Sequence, residues 1–420
     1  MSTLGPVVGY RPGSVDLHPP GSAISCAPHV WERSRLEWHS RDGGDPLSIL
    51  AAFLADAGLP VSDVSASPRV TDTVCGAAVL LAPPSAVASP APGVPDLVAV
   101  VYGHTRPGER PGEQPGRPAP AGLPPALPSP LGPWTPPSPS PSRVGAWTPS
   151  WSPAEHAAAV GAVRDAIARG DVYQANVVGH ASAPISGDPR EALRRVAALP
   201  GARYGGVLSG GGTGDAPAWW VACASPETLV EVAGGRAVTR PIKGTRPATA
   251  EGRAELLASA KERAEHVMIV DLERNDLGRV ARTGTVRVEE LFAIRRWSRL
   301  WQAESTVSAQ LAAGVGLARL LGAVWPGGSV TGAPKLAAID VVSALEPVGR
   351  GPSMGTAGWI GHGPDGRLRI DLGLTIRTVA VADGLVHVWA GGGIVWDSDP
   401  AAEVAEAAAK TAPIKAALAG

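Results

Sequence analysis

Lysine is scarce in this chain of 420 residues, which has five lysines against 32 arginines. In a sequence so rich in Ala, Gly, Pro and Arg, arginine serves wherever only a positive charge is needed. A lysine that remains is therefore a candidate for a role that requires an ammonium or a free amine. All five lie in the second half of the chain, at Lys243, Lys261, Lys335, Lys410 and Lys415.

The chain also has few cysteines, almost no net charge and no long apolar run. The three cysteines contain no Cys-x-x-Cys pair, which argues against a disulfide framework and a structural zinc site. A net charge of −1 gives no electrostatic reason to expect nucleic acid or an anionic membrane as a partner. No apolar run reaches about 18 residues, and the first residues do not resemble a signal peptide. The sequence predicts a soluble cytoplasmic protein.

Composition divides the chain into three regions. Residues 1–104 are weakly patterned, although AAVLLAPPSA and DLVAVVYG predict two buried strands around a proline turn. Residues 105–151 are dominated by Pro, Ser, Gly and Arg, which favours an extended linker over a proline motif that binds a partner. Residues 152–420 show regular helix and strand patterns, so this region is predicted to be a folded domain.

Within residues 152–420, helices and strands alternate without a regular order. Ser152 begins a Ser-Pro-Ala-Glu sequence, which predicts a helix start with a capping box. A long helix is predicted over Ala250–Leu272, and a final Ala-rich helix begins at Pro400. Strand-like runs include one that extends over 368–382. Because no repeating strand–helix–strand unit is visible, the pattern predicts an α+β fold.

Two acidic pairs occur at helical spacing, Glu262 with Glu265 and Glu403 with Glu406. Residues three apart share a helix face, so each pair presents two carboxylates in one direction. Most such pairs are solvated surface, but the first pair runs directly into the apolar segment VMIVDL. Two such faces brought together would supply oxygen ligands for a hard cation, with Mg²⁺ as the leading candidate.

Two glycine-rich segments indicate places where a ligand can approach the backbone. PGGSVTGAPK (Pro326–Lys335) lacks the Gly-Lys-Ser/Thr step of a P-loop. Its small residues and backbone N–H groups suit a carboxylate at a helix N-terminus. The second segment, AGGGIV (Ala390–Val395), offers backbone without side chains. Each signal is weak when taken alone.

Lys243 lies in the segment PIKGT with no acidic neighbour in the sequence. Glu227 precedes it across a predicted β-hairpin that turns at Gly234-Gly235. A desolvated lysine amine can act as a nucleophile, and a nearby glutamate can donate or accept a proton. From these residues alone, a lysine at a strand end that pairs with a distant acid is equally compatible.

Seven motifs between residue 152 and the end carry a resemblance to a known family. They are GDVYQANVV, ASPETL, PIKGTRP, KERAEHVMIVDLERNDLGRV, PGGSVTGAPK, LTIRT and GGGIVWDSDPAAEVAEAAAK. Their order is similar to that in the chorismate-utilising enzymes, which include anthranilate synthase, aminodeoxychorismate synthase component I, and isochorismate and salicylate synthases. The resemblance implies two large, mainly antiparallel sheets packed face to face with helices outside. It also implies that residues 1–104 are the N-terminal region of that fold and that residues 152–420 are its chorismate-binding catalytic domain.

Two positions indicate the branch of the family. A lysine at the position of Gln174 is typical of water-using members, so a glutamine there resembles the ammonia-using branch. Anthranilate synthases typically have Ala at the position of Lys243, whereas aminodeoxychorismate synthases have Lys. The resemblance implies that the Lys243 amine attacks C2 of chorismate as the 4-hydroxyl leaves, and that ammonia then attacks C4 and expels the lysine. Glu227 is implied as the general acid or base.

The resemblance also implies binding roles. Glu265 and Glu406 would be the principal Mg²⁺ ligands, with Glu262 and Glu403 in support. Arg377, in LTIRT, would grip the enolpyruvyl carboxylate, a role suited to its bidentate fork. The full set implied to bind substrate is Gln174, Ser329, Thr331, Arg377, Gly391, Gly393 and Lys410.

Three positions depart from the family pattern. Gln302 replaces the usual His, Ser353 replaces the usual Tyr, and Ala248 replaces a common Arg. The sequence therefore leaves three hypotheses: aminodeoxychorismate synthase component I in p-aminobenzoate and folate biosynthesis, anthranilate synthase component I, or a catalytically silent chorismate-binding paralogue. No Cys-His-Glu glutaminase pattern is evident, so a separate glutamine amidotransferase subunit is predicted to deliver ammonia.

Overall fold

The computed structural model describes residues 30–71, 73–104, 141–211, 217–297 and 300–420. In these ranges the α-helices are α1 (Pro46–Asp56), α2 (Pro153–Arg169), α3 (Arg190–Ala197), α4 (Ala250–Ala258), α5 (Ala260–Gly278), α6 (Leu317–Val324), α7 (Gly328–Thr331), α8 (Lys335–Ser343) and α9 (Pro400–Ala419). The strands of the first half are β1 (Val30–Trp38), β2 (Val74–Leu81), β3 (Leu97–His104), β4 (Arg143–Val144), β5 (Thr148–Pro149), β6 (Gln174–Ser186), β7 (Tyr204–Gly210) and β8 (Trp219–Ser225). Those that follow are β9 (Thr228–Ala233), β10 (Arg236–Arg240), β11 (Ile242–Pro247), β12 (Arg287–Trp297), β13 (Leu300–Gln310), β14 (Gly332–Ala333), β15 (Thr356–His362), β16 (Leu368–Leu374), β17 (Thr378–Ala382) and β18 (Leu385–Ile394).

The strands form two antiparallel sheets. The ten-stranded sheet has the order β1-β3-β2-β15-β16-β9-β10-β13-β11, with β12 also paired to β13. The eight-stranded sheet has the order β14-β6-β18-β17-β8-β7, with β4 and β5 also paired to β6. This arrangement, with helices packed on the sheets, confirms the α+β prediction.

The main core lies between the two sheets. It joins Val230 and Leu372 of the ten-stranded sheet to Val221 and Ala380 of the eight-stranded sheet. Side chains alternate between the faces of a strand, so neighbouring residues of β17 enter different cores. Val379 packs on the outer face with residues of α3 and α9, whereas Ala380 faces the other sheet. The predicted face-to-face packing is therefore present.

Residues 30–104 belong to the same sheet as the second half of the chain. β2 pairs antiparallel with β3 on one side and with β15 on the other, where Gly76 lies opposite Gly361. The two predicted buried strands are thus confirmed, and their partner is a strand from residues 152–420. The described end of the predicted linker also pairs, since β4 and β5 lie against β6; its residues 105–140 lie outside the described ranges.

Two element predictions are wrong in detail. The helix predicted over Ala250–Leu272 is two helices, because Ser259 is extended (ψ 103°) and its hydroxyl caps α5 by accepting the N–H of Glu262. The strand-like run 368–382 is divided between the sheets at Arg377, whose φ is +51°. The capping box at Ser152 and the hairpin between β9 and β10 are confirmed.

Among the described residues, no helix combines the length and the apolar character that a membrane crossing requires.

Candidate active site

A cavity of about 500 Å³ is lined by residues of both sheets and of helices α5 and α9. Eleven of the thirteen residues predicted for the site line it: Glu227, Lys243, Glu262, Glu265, Ser329, Arg377, Gly391, Gly393, Glu403, Glu406 and Lys410. Apolar side chains, among them Met354, Ile376 and Trp389, complete the wall. A concave, partly apolar site with converging charged groups is the usual setting for small-molecule chemistry.

Glu227 and Arg377 each lie at a crossing, a place where the chain passes from one sheet to the other. Glu227 lies in the link from β8 to β9, and Arg377 lies in the link from β16 to β17. The crossings are joined by backbone hydrogen bonds, from the N–H of Leu374 to the carbonyl of Glu227 (3.0 Å) and from the N–H of Ala224 to the carbonyl of Arg377 (3.2 Å). An acid and a guanidinium from distant sequence positions are thereby held at one cavity.

Glu227 is buried, with 5% of its surface exposed. Burial raises the pKa of its carboxyl, while the Lys243 charge and a hydrogen bond with the Ser329 hydroxyl oppose the rise. A carboxyl whose pKa is raised in this way keeps a proton to higher pH than a free glutamic acid. Glu227 is therefore suited to donate a proton inside the cavity.

Lys243 is half-buried on β11 and lines the same cavity. Among the described residues it forms no ion pair and no side-chain hydrogen bond, unlike Lys261, Lys335 and Lys410, which each contact a carboxylate. A bulge follows it at Gly244, whose φ is +74° and whose Cβ, if present, would lie 2.6 Å from Leu256. Glycine is needed at this bulge, and in the part of the chain that the structure describes the Lys243 amine has no ion-pair or hydrogen-bond partner.

Arg377 is held in the left-handed region at the crossing, with its guanidinium in the cavity wall. Burial lowers the pKa of this group, although the charge of Glu227 works to raise it. No side-chain hydrogen bond to Arg377 occurs among the described residues. The free fork suits a carboxylate ligand.

The four predicted metal ligands all line the cavity, two from α5 and two from α9. Burial raises the pKa of Glu265, with Glu262 and Glu403 adding to the rise and Lys243 and Lys261 opposing it. Burial also works to raise the pKa of Glu406, but the charges of Lys410, Lys261 and Lys243 outweigh it and lower that pKa. Such a concentration of carboxylate oxygens fits a hard divalent cation.

The four carboxylates do not already surround one point. Among the described residues, no three acidic, histidine or cysteine side chains are arranged around a metal position. Each of the four instead has a basic side chain within 4.0 Å. The donor set fits Mg²⁺ in chemistry, and cation binding there would draw the carboxylates together.

The glycines of β18 have structural reasons to lack a side chain. A Cβ on Gly391 would lie 1.8 Å from the carbonyl oxygen of Val177 on β6, and one on Gly392 would lie 2.8 Å from Glu403 Oε2. The carbonyl of Gly391 accepts a hydrogen bond from Lys410 Nζ at 2.8 Å. This run therefore brings backbone and α9 close together at the cavity wall.

Gln174 and Thr331 were predicted to bind substrate, and neither lines the cavity. Gln174 is fully buried against Gly393, where a Cβ would lie 2.4 Å from its Nε2. The hydroxyl of Thr331 donates to the carbonyl of Gly327 at 2.8 Å and closes α7. Both residues support the cavity wall without lining the cavity, since each packs on a segment that contributes lining residues.

Two of the three departures from the family pattern, Gln302 and Ser353, lie in different settings. Gln302 on β13 lines the cavity with 2% of its surface exposed, and its Oε1 has no hydrogen-bond partner among the described residues. Ser353 is fully buried and donates to the carbonyl of Thr375 at 3.3 Å. The Gln302 amide oxygen thus keeps an unused acceptor among the described residues, whereas Ser353 is hydrogen-bonded to the protein.

Sequence reasoning missed Lys261, Arg246 and Asn176, which also line the cavity. Lys261 and Arg246 belong to the motifs KERAEHVMIVDLERNDLGRV and PIKGTRP, so the sequence contained a signal for both residues. Asn176 is held by Arg350, whose guanidinium donates to its carbonyl at 2.6 Å and to that of Val330 at 2.7 Å. Nothing local in the sequence predicts that long-range contact.

Two curated relatives resemble the chain. Anthranilate synthase component 1 of Streptomyces coelicolor is 42% identical over 259 residues, which cover 60% of this chain and 49% of that protein. Aminodeoxychorismate synthase component 1 of Bacillus subtilis is 38% identical over 266 residues, which cover 62% and 54%. The chain therefore spans about half the length of the curated relatives it matches.

A solved structure shares the fold. The crystal structure of anthranilate synthase component I from Streptococcus pneumoniae superposes with a TM-score of 0.66 at 24% identity and covers 92% of both chains. The family model described as chorismate binding enzyme matches residues 126–416. This match spans more than half of the sequence and confirms the resemblance drawn from the seven motifs, so the chain belongs to the chorismate binding enzyme family.

Proposed function

We propose that the chain is the chorismate-aminating component of an aminodeoxychorismate synthase. The observation that carries this proposal is the Lys243 amine, which lines the cavity without an ion-pair partner among the described residues. The buried acid Glu227 lines the same cavity and has a raised pKa. A nucleophilic amine and a proton donor in one site are what a two-step substitution requires.

In the proposed reaction, the uncharged Lys243 amine forms a bond to C2 of chorismate and the C4 hydroxyl departs. Glu227 supplies the proton with which that hydroxyl leaves as water. Ammonia then bonds to C4 and returns a proton to Glu227, and the lysine leaves C2 with its electron pair returned to nitrogen. The net change is replacement of the 4-hydroxyl by an amine with release of water.

The other lining residues bind and orient in this proposal. Arg377 has a free guanidinium fork for one substrate carboxylate. The carboxylates of α5 and α9 would hold Mg²⁺, which offsets negative charge near the second substrate carboxylate when bound. A separate glutamine amidotransferase subunit would supply ammonia, as in the "component" organisation named for the relatives.

Product analysis tests the proposal. The full chain is incubated with chorismate, Mg²⁺ and ammonium, and the products are separated and identified by mass spectrometry. We expect aminodeoxychorismate without release of pyruvate. Absence of this product at high ammonium would overturn the proposal.

Anthranilate synthase component I is the second candidate, favoured by the 42% identity to the Streptomyces coelicolor protein. Fluorescent anthranilate with an equal amount of pyruvate would select it. A catalytically silent chorismate-binding protein is a third, motivated by Gln302 and Ser353. Calorimetry that detects Mg²⁺-dependent chorismate binding without any product would select that function.

A further inference from the structure

The four acidic residues Glu262, Glu265, Glu403 and Glu406, here called the carboxylate cluster, are matched by three basic side chains. Arg246 lies 3.5 Å from Glu262, and Lys410 lies 2.8 Å from Glu406. The third basic residue, Lys261, approaches the other two carboxylates at once, with its Nζ 3.8 Å from Glu265 Oε1 and 4.0 Å from Glu403 Oε1. The protein thus places a cation of its own beside every member of the cluster.

Lys261 differs from the other two cations in how it is held. Lys410 has a second bond, to the carbonyl of Gly391, at 2.8 Å. Among the described residues, Lys261 makes only ion-pair contacts that are too long for hydrogen bonds. Its side chain is 53% exposed, whereas those of Glu265 and Glu403 are 13% and 8% exposed. Its ammonium can therefore leave for water by side-chain rotation, whereas the two carboxylates remain mostly enclosed by protein.

Lys261 also bridges two helices. It precedes Glu265 by one turn of α5, and Glu403 belongs to α9. A divalent ion held by Glu265 and Glu403 would lie close to Lys261, because the ammonium is within 4.0 Å of an oxygen of each carboxylate. A metal ion and the lysine charge would repel each other there.

We propose that Lys261 is an internal counter-ion of Glu265 and Glu403, and that it is displaced when a divalent cation binds these carboxylates. The inference rests on the Mg²⁺ site of the proposed function and adds a residue that sets its affinity. Displacement makes metal binding an exchange of a monovalent charge for a divalent one. Arg246, Lys261 and Lys410 offset three of the four carboxylate charges of the cluster. The exchange adds one positive charge beside the cluster, which favours the approach of an anionic substrate.

The test measures Mg²⁺ binding without substrate, by calorimetry, in the full chain and in Lys261→Met and Lys261→Gln variants. Both variants remove the charge, and the second keeps a polar end in case the first impairs folding. We expect the Kd for Mg²⁺ to fall about tenfold in each, because no ion pair has to be broken first. Thermal unfolding without metal should occur at a lower temperature, and the increase on adding Mg²⁺ should be larger.

Two further variants serve as controls. Lys261→Arg keeps the charge and should keep the Kd near that of the unmodified chain. Lys415→Met removes a lysine that stacks 4.8 Å from the Trp147 ring and does not line the cavity, and it should leave the Kd unchanged. A Kd that is unchanged or higher in Lys261→Met and Lys261→Gln would overturn the counter-ion role. Failure of every protein to bind Mg²⁺ would overturn it as well, while product analysis would still decide the catalytic proposal.

Discussion

Glu227 accepts a hydrogen bond from the backbone N–H of Ile242 through its Oε1, at 3.4 Å. Ile242 directly precedes Lys243 on β11. The acid is thereby attached to the strand that carries the amine, although 15 positions separate Glu227 from Ile242 in the chain. Acid and amine are held as one unit, which is what cooperation in one substitution step requires.

Lys243→Ala should abolish formation of aminodeoxychorismate. The amine is the proposed nucleophile, and alanine cannot form the bond to C2, so the rate should fall at least about a hundredfold. Mass spectrometry of the products with chorismate, Mg²⁺ and ammonium measures this. Lys415→Ala, which changes a lysine outside the cavity, should keep the rate. An unchanged rate in Lys243→Ala would remove the covalent step from the mechanism.

Glu227→Gln should remove one limb of the pH profile. Because burial raises the pKa of Glu227, the acid form persists above the usual range of a glutamic acid and is lost as pH rises through the shifted pKa. A reaction that needs the proton therefore slows on the alkaline side. We expect the variant to lose about 10²–10⁴ in rate and to lack that descending limb of kcat. Retention of the same limb would assign it to another group.

Gln302→Leu should separate stability from activity. Gln302 Oε1 is buried without a partner among the described residues, so leucine removes an unsatisfied acceptor and should leave the free energy of unfolding unchanged or raise it by about 1 kcal/mol. If the amide contacts the ligand, KM for chorismate should rise about tenfold. Urea unfolding and steady-state kinetics measure the two effects. A large loss of stability would show that the amide serves the fold.

Lys335→Met should destabilise the protein through Asp276. The two side chains form an ion pair at 2.7 Å, with 13% and 4% of their surfaces exposed. Removal of the lysine leaves a buried carboxylate beside Glu273, whose pKa is raised to about 8 by burial and by Asp276. We expect the free energy of unfolding to fall by about 3 kcal/mol. Urea denaturation measures it.

The double variant Lys335→Met/Asp276→Asn serves as the control for that prediction. It removes both charges and should recover most of the lost stability, since no uncompensated carboxylate then remains at position 276. If the single variant were as stable as the unmodified chain, the pair would contribute nothing to the fold.

Much of the site could be predicted from motifs because its residues occur in short segments with fixed order. Eleven of thirteen predicted residues line the cavity. Gln174 and Thr331 do not line the cavity, since a motif indicates proximity to a site and not the direction of a side chain; their role in substrate binding stays a prediction. Lys261 was missed although it lies inside a motif, because its 4.0 Å contact with Glu403 joins residues that are far apart in the sequence.

The fold was predictable at the level of elements and less so at the level of partners. The apolar runs of β2 and β3 are visible in the sequence, but nothing in them indicates that β15 is the neighbour of β2. The break at Ser259 was missed because helical spacing continues through it, and a single capping hydroxyl decides the boundary.

The pairing of β2 with β15 has a consequence for folding of the chain during its synthesis on the ribosome. β15 begins 275 positions after β2 ends. At translation speeds of about 5–20 residues per second, β2 waits on the order of tens of seconds for its neighbour. During that interval an apolar strand keeps one edge unpaired, which is the usual starting point for association with other chains. Chaperone demand during synthesis should therefore be set by the edge of β2.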